Sequence, residues 1–481
     1  MRKQIVPGLL GRTERSGTMR RIVFTGFRGT GKTEVGKIVA GKLNLPFIDT
    51  DSQIEQVTGR SIPDIFHEEG EERFRTIERQ VIAGLPAQDV VISTGGGAVV
   101  NPVNMVHLRR KSVMVLLYAD IDTIEKRMSS KPRPPLTGLP LREEIAEMMD
   151  RRRQHYHAAA DICIDTSITT PAAAADTVIR TLNTGTTTED NRKVAIAFFR
   201  TGRINPVALK KLCDILTGKD RDPLTRIMGV AGYPAAHSRS PALYNALFEK
   251  YGINCHYTFF EDPELDEIIR VARQLDARGL SVTIPFKQDA MKYLDEVDEH
   301  AARQIGAVNT VVFACGSAIG YNTDWLGVRK PLISLKGSDA VLLGAGGVAT
   351  AAAYALADLD MKVTILNRNA GRAKILAERF GCSYGGLGDL DQLRPDLIVN
   401  ATPLGMNPDD HSPLTDDHLR EGMTVFDLVY TPPETPLILQ ARRLGCKTIT
   451  GIEMFVEQAK EQFYLFFGID VPEQTIRELV A

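Results

Sequence analysis

Residues 21–33 read RIVFTGFRGTGKT, an apolar run that meets a glycine-rich turn and then a Lys-Thr pair. The run has the length of one buried strand, and the segment after it, TEVGKIVAGKL, is amphipathic. Gly26-Phe-Arg-Gly29-Thr-Gly31-Lys32-Thr33 matches GxxxxGK[ST] in a strand–loop–helix setting, where backbone N–H groups cradle phosphates. In that pattern Lys32 reaches the terminal phosphates and the Thr33 hydroxyl ligates Mg²⁺. Two more apolar runs end in the same kind of turn, VVISTGGGAVV at 90–100 and AVLLGAGGVATAA at 340–352. With amphipathic stretches between them, they set the βαβ rhythm of an α/β fold.

The chain has 481 residues, with 58 Lys+Arg against 60 Asp+Glu, 43% hydrophobic and 25% charged residues. That length predicts about three domains. Such a composition excludes wholesale disorder, and a net charge of -2 provides no field to attract nucleic acid or an anionic membrane. No apolar stretch approaches the ~20 residues of a membrane helix. The start, MRKQIVPGLLGRTERSGTMRR, lacks the apolar centre of a signal peptide, so residues 1–19 read as a disordered leader, with a transit peptide as the alternative. Cysteines 163, 213, 255, 315, 382 and 446 have no close pairs; reduced thiols in a cytoplasmic protein are expected, without a disulfide framework or thiolate metal site. His155 and His157 fall on different faces of a helix, which argues against a chelate.

The expected units are 20–184, a linker and spacer at 185–225, a lobe of 226–325 completed by 451–481, and a second lobe at 326–450. The linker contains the polar NTGTTTEDNRK; after it VAIAFF reads as a strand and PVALKKLCDIL as a helix, with a spacer role.

In the first unit, Asp49-Thr-Asp51 follows Pro46-Phe-Ile; in an extended segment both carboxylates share a face, one for Mg²⁺ and one for a substrate hydroxyl. Phe74-Arg75-Thr-Ile-Glu78 has the spacing of a solvated helical ion pair. Gly95-Gly96-Gly97 lets a ligand approach the backbone, and Lys131-Pro-Arg133-Pro-Pro-Leu136 reads as a loop whose arginine folds over phosphate. Arg151-Arg152-Arg153 by itself reads as a solvated basic face. Together these residues resemble shikimate kinase over residues 20–184. The resemblance implies a P-loop kinase that uses ATP and Mg²⁺ to phosphorylate the 3-hydroxyl of shikimate. It makes Asp51 the base at that hydroxyl, places Thr33 and Asp49 at Mg²⁺, and puts Gly29, Gly31 and Lys32 on the nucleotide phosphates. Arg75 and Arg152 grip the substrate carboxylate beside Gly96 and Gly97, as bidentate pairing favours arginine. Arg133 becomes the arginine of a lid near 126–140. Arg152 is picked by its distance from Tyr156, with the register open by one residue, and the adenine-contacting residue is Lys126 or Arg127.

In the second half, Gly344-Ala-Gly346-Gly347-Val-Ala349 fits the dinucleotide turn G-x-G-x-x-G/A. One strand later, where NAD enzymes place an acid against the ribose, stand Asn367-Arg368, with Arg372 a turn on; this suits the 2′-phosphate of NADP. Upstream clusters, His237-Ser238-Arg-Ser240, Thr283-Ile-Pro-Phe-Lys287, Asn309-Thr310 and Asn322-Thr-Asp324, supply hydroxyls, amides, one Lys and one Asp. A ketone reduction needs a proton donor at the developing alkoxide, and Lys287 with Asp324 as charge partner fills that role. With Asn400-Ala-Thr402-Pro-Leu-Gly405-Met406, Asp427-Leu-Val-Tyr430 and Gly451 through Gln458, the pattern resembles shikimate dehydrogenase over residues 226–481. The resemblance implies a two-lobed enzyme with a Rossmann lobe that reduces 3-dehydroshikimate with NADPH. Ser238 and Ser240 then bind the carboxylate; Thr283, Asn309, Asp324 and Gln458 hold ring hydroxyls; Tyr430 lines the pocket; and Gly451 lies at the cofactor. Thr350 and Asn369 depart from the family pattern, which commonly has a basic residue and a threonine there.

The product of the second half is the substrate of the first, so the expectation is one bifunctional enzyme acting on small molecules, without a nucleic-acid or membrane partner. Two alternatives are one active half beside a ligand-sensing or docking module, and a quinate/shikimate dehydrogenase joined to a related kinase. Loss of Lys32, Asp51, Lys287 or Asp324 would favour the former, and all four are present.

Overall fold

The computed structural model describes residues 21–130, 138–202, 206–218, 222–235, 238–407 and 411–480. The first sheet holds β1 (Arg21–Thr25), β2 (Phe47–Asp49), β3 (Val90–Ser93), β4 (Ser112–Tyr118) and β5 (Ile162–Asp165) in the order β2-β3-β1-β4-β5. Every pairing in it is parallel. Ile22, Val23 and Phe24 are fully buried because both faces of β1 are covered, which explains the unbroken apolar run. The strand order reverses across β1, and such a switch point opens a crevice at the carboxyl ends of the strands. The Lys32–Leu43 helix starts there.

The second sheet is mixed. It contains β6 (Arg226–Gly232), β7 (Cys255–Glu261), β8 (Gly279–Val282), β9 (Glu296–Val297), β10 (Thr310–Ala314) and β11 (Ser317–Tyr321), in the order β7-β6-β8-β10-β11-β9. In it β10 runs antiparallel to β8 and β11. The third sheet is parallel: β12 (Asp339–Leu343), β13 (Lys362–Leu366), β14 (Ser383–Gly385), β15 (Leu397–Asn400), β16 (Thr424–Asp427) and β17 (Lys447–Ile449), ordered β14-β13-β12-β15-β16-β17. This is a doubly wound order with its switch point between β12 and β15. The Gly451–Phe467 helix then brings the chain back to the second sheet, burying Phe455, Val456, Ala459, Phe463 and Phe466.

Two expectations are corrected here. VAIAFF is helical, within Glu189–Thr201, while the helix expected at PVALKKLCDIL is present at Pro206–Thr217. Thr188 caps the first helix, Glu189 and Asp190 occupy its positive end, and the buried residues Ala195, Phe198 and Phe199 have helical rather than alternating spacing. Phe198 and Phe199 pack on Phe260 of β7, with ring centroids 6.2 and 5.1 Å away. The segment is thus part of the core beside the second sheet and not a spacer.

The thiols are corrected as well. Cys163 on β5 and Cys315 just after β10 form a disulfide, with Cα atoms 5.2 Å apart across 152 residues of sequence, while Cys213, Cys255, Cys382 and Cys446 are free. Spacing could not reveal this pair, since only the docking of the first unit on the second brings its members together.

That docking has a buried polar centre. Arg278, 1% exposed, donates to His157 O, Ala158 O and Ala160 O at the end of the Leu141–Ala159 helix and to Phe466 O near the end of the Gly451–Phe467 helix. Arg109 donates to Ala158 O and Phe467 O and pairs with Asp161 at 3.0 Å. Two helix C-termini, each with unsatisfied carbonyls and a partial negative charge, thereby share two cations. Burial, and secondly Arg109, pull the Arg278 guanidinium down to about 9, against the pull of Asp161.

Candidate functional sites

The first site is a cavity of about 2050 Å³ at the carboxyl ends of β1 and β3. Gly29 and Gly31 turn the loop with φ of 84° and 87°, values that favour glycine. Lys32 folds over this loop, its Nζ donating to Gly26 O at 2.8 Å and Phe27 O at 2.9 Å. The Thr33 hydroxyl donates to Asp49 Oδ2 at 2.8 Å, so two hard oxygen donors suited to Mg²⁺ stand together. Asp49 ends β2 and its other oxygen caps the next helix; Asp51 belongs to the first turn of that helix, not to an extended segment as expected. Both line the cavity, and Asp51 Oδ1 lies against Gly95, where a Cβ would come within 2.6 Å.

Arg75 packs against Gly97 and bonds both Glu71 and Glu78, at 3.0 and 3.1 Å. The Glu78 carboxylate is 1% exposed, which corrects its reading as half of a solvated pair. Burial pushes the Glu78 carboxyl up and Asp51 adds to this, with Arg75 opposing. For Arg75 burial acts downward, and the two glutamates outweigh it to leave the guanidinium raised.

Of the three arginines at 151–153, Arg151 and Arg152 line the cavity, whereas Arg153 pairs with Glu296 of the second sheet. Arg152 approaches Gly96, and Tyr156 donates to Gly96 O at 2.6 Å, tying this helix to the glycine run. Arg127 lines the cavity and donates to Gly29 O and Thr166 O; Lys126 is not among the lining residues. Sequence reasoning missed Arg28, which pairs with buried Glu144 and ties the phosphate loop to the Leu141–Ala159 helix. Arg133 and the 131–137 part of the expected lid lie outside the described residues, as does residues 1–19.

The second site lies where the second and third sheets face each other. Lys287 Nζ donates to Asp324 Oδ2 at 2.6 Å, and Asn309 Nδ2 donates to Asp324 Oδ1 at 2.8 Å and to the Thr323 hydroxyl at 2.9 Å. Thr323 N returns a bond to Asn309 Oδ1, and Asp324 N donates to Asn322 Oδ1. Gln458 joins through its carbonyl, which accepts from the Thr323 hydroxyl, while its side-chain amide donates to Phe455 O. Tyr430 packs against Phe455 with the rings tilted and their centroids 5.0 Å apart; burial first and Asp324 second raise its hydroxyl. Ser240 opens the Ser240–Tyr251 helix, with its N–H donating to Ser238 Oγ, and the Thr283 methyl lies against Gly232. His237 is outside the described residues.

Gln462 was not singled out from the sequence. Its buried Oε1 accepts from the Tyr244 hydroxyl and Ser281 Oγ, and its Nε2 donates to Asn309 O. It sits one turn after Gln458 on the same helix, and that i, i+4 spacing was the available signal.

On the third sheet, Gly344 has φ 112° and lies against Ala401 O; Gly346 faces open space and caps the Gly347–Asp358 helix. The nearest side chain to Gly347 is Lys287, 3.9 Å from where a Cβ would stand, so the dinucleotide turn and the Lys287–Asp324 pair face the same cleft. Asn367 follows β13, with Arg368 and Arg372 exposed beside it. Gly451 is pressed against Val429 O, where no side chain fits. Thr350 spends its hydroxyl on Gly346 O within the helix. No described helix is long and apolar enough to cross a membrane.

Known proteins match separate stretches of the chain. The family model for shikimate kinase matches residues 28–183. Models for the shikimate dehydrogenase substrate binding domain, for shikimate/quinate 5-dehydrogenase and for the shikimate 5′-dehydrogenase C-terminal domain match 230–311, 328–403 and 451–481. The NADP(+) shikimate dehydrogenase of Pyrococcus abyssi is 41% identical over 249 residues, 51% of this chain and 93% of its own. A solved shikimate dehydrogenase in complex with NADP+ is 40% identical with TM-score 0.50, covering 53% of this chain and 94% of its own. The enzyme from Aquifex aeolicus is 36% identical with TM-score 0.51, covering 53% and 97%.

Proposed function

We infer function from a chain that belongs to the shikimate dehydrogenase family over its C-terminal half and carries a shikimate kinase domain ahead of it: it is a bifunctional shikimate-pathway enzyme. It reduces 3-dehydroshikimate to shikimate with NADPH and phosphorylates shikimate to shikimate 3-phosphate with ATP and Mg²⁺. The hydroxyl made by the first reaction is the one consumed by the second. The observation that carries the reading is the Lys287–Asp324 pair at 2.6 Å beside the dinucleotide turn, in the same chain as a complete phosphate loop.

For the reduction, bound NADPH supplies hydride to the carbonyl carbon. Open space at Gly346 and the exposed Arg368 and Arg372 suit its pyrophosphate and 2′-phosphate. Lys287 delivers a proton to the carbonyl oxygen as negative charge develops there, and Asp324 offsets the ammonium charge. Asn309, Thr283, Gln458 and Tyr430 orient the ring, and Ser238 and Ser240 hold the carboxylate. For the phosphorylation, Asp51 accepts the proton of the attacking hydroxyl, Lys32 and the loop amides take phosphate charge, and Thr33 with Asp49 would hold Mg²⁺. Arg75 and Arg152 meet the carboxylate beside Gly96 and Gly97, and Arg127 stands at the nucleotide side. The 20–184, 226–325 with 451–481, and 326–450 divisions serve as kinase, substrate lobe and NADP lobe.

The half-reactions are tested separately on the purified chain: NADP+ reduction with shikimate alone, and ADP release with shikimate, ATP and Mg²⁺. Each is expected to proceed without the other's cofactor. A chain that reduces NADP+ but releases no ADP above its shikimate-free rate would return the first half to a docking role.

A further inference from the structure

The Leu141–Ala159 and Gly451–Phe467 helices are held end to end by Arg278 and Arg109, and each also serves a reaction site. The first carries Arg152, His155 and Tyr156 at the kinase cavity. The second carries Gln458 and Gln462 into the dehydrogenase network. Where they pass, the Tyr464 hydroxyl lies 3.3 Å from His155 Nδ1, with the two rings edge-on at 6.1 Å between centroids. His155 lines the kinase cavity beside Arg152. A side chain of the dehydrogenase half therefore touches a lining residue of the kinase half.

We propose that Tyr464 is a positioning residue for the kinase reaction: its hydroxyl donates to His155 Nδ1 and leaves the ring proton on Nε2, so that His155 donates beside Arg152 to the carboxylate of the bound acid. This rests on the kinase reading above. Burial, and secondly Arg152, hold His155 below the ordinary histidine range and thus neutral. A neutral imidazole has one N–H, and the partner of one nitrogen decides which nitrogen bears it. With Nδ1 accepting from Tyr464, the other nitrogen presents a donor. The opposite tautomer would turn a bare lone pair on a carboxylate and repel it. Arg278 and Arg109 give the arrangement its rigidity, because the relative position of the two helices rests on buried hydrogen bonds and not on surface contact.

Tyr464→Phe in the full chain removes the hydroxyl and keeps the ring. The KM for shikimate in phosphorylation is expected to rise about 10-fold, the lower end of what loss of one hydrogen bond to a charged group costs. The KM for ATP, the kinase kcat and the dehydrogenase kcat/KM should stay within about 2-fold, since none of them uses this contact. His155→Leu should reproduce the shift, and the double variant should be no worse than His155→Leu alone, because the tyrosine acts only through the histidine. An unchanged shikimate KM in Tyr464→Phe, or additive effects in the double variant, would overturn the proposal. So would an ATP KM or dehydrogenase rate that moves in parallel, which marks general damage to the helix joint. Wild-type phosphorylation of shikimate, measured alongside, separates this outcome from failure of the kinase reading itself.

Discussion

The two sites recognise the same small hydroxylated acid with different materials. In the kinase site the groups proposed to act are charges at a cavity wall: Lys32 on loop carbonyls, Arg75 between two glutamates, Asp49 against Thr33. In the dehydrogenase site they form a buried network in which Asn309 binds Asp324 and Thr323, Gln462 binds Asn309, and Lys287 closes the chain. Phosphoryl transfer concentrates negative charge, and stabilising it takes cations that can exchange partners. Hydride transfer to a ketone needs one proton delivered at a fixed place, which favours a network already satisfied within the protein. The contrast teaches that one substrate does not dictate one kind of pocket; the reaction does.

The contrast can be broken by removing Lys287, the proposed proton donor. Lys287→Ala should lower the dehydrogenase kcat by about 10³-fold and leave ADP formation from shikimate within about 2-fold. A kinase rate that fell in proportion, measured on the same preparation, would mean that the two sites are not chemically independent.

A second variant asks whether independent sites share one folded body. Arg278→Met removes a buried donor shared by four carbonyls of two helices, of which Ala158 O keeps Arg109 and His157 O keeps Ala160 N, and should cost about 3 kcal/mol of stability in denaturant unfolding. Both activities should then be lost at the same denaturant concentration. Separate midpoints for the two activities in the wild-type chain would show that the joint does not couple them.

Acid should weaken the fold through two buried histidines. His157 beside Arg278 and His256 on β7 are each held down to about 4, foremost by burial and then by Arg153 and Lys211 respectively. Their folded pKa lies below the ordinary value of 6.5, so the unfolded chain takes up protons first. Their contribution is present in full above that value and is lost as pH falls from it toward 4, by on the order of 2 kcal/mol for each after allowance for partial exposure. Melting temperatures between pH 7 and pH 4.5 should fall less steeply in His157→Gln/His256→Gln than in the wild type, and parallel profiles would contradict this assignment.

The smallest effect sharpens the cofactor side. Arg368→Ala should raise the KM for NADPH about 10-fold and leave that for NADH unchanged, because a charge-assisted bond to the 2′-phosphate is worth roughly one decade. Equal changes for both cofactors would remove Arg368 from that phosphate.

Much of this was legible in the sequence because the signals are local. The phosphate loop, the glycine run at 95–97, the Asn367-Arg368 pair and the Lys287 and Asp324 clusters each occupy a few consecutive residues at the end of an apolar strand. What escaped depends on contacts between distant segments. Arg278 reads as an ordinary arginine until its partners at 157–160 and 466 are assembled around it. Cys163 and Cys315, Arg28 and Glu144, and His155 and Tyr464 are pairs of the same kind. Glu78 shows the converse: its local spacing with Arg75 was plain, but burial, which turns a solvated pair into part of the site, was not. The strand expected at VAIAFF is instead the Glu189–Thr201 helix, because two adjacent phenylalanines in a short apolar run suit a strand as well as a helix, and only packing on Phe260 distinguishes them; the helix expected at PVALKKLCDIL is present at Pro206–Thr217.

The central claim is that one chain performs both reactions in succession, and a single incubation tests it. The purified protein is given 3-dehydroshikimate, NADPH, ATP and Mg²⁺, with NADPH loss followed and products identified by mass. The account predicts shikimate 3-phosphate, with NADPH and ATP consumed in equal amounts. Accumulation of shikimate with no phosphorylated product, or untouched NADPH while added shikimate is phosphorylated, would contradict it and name the half at fault.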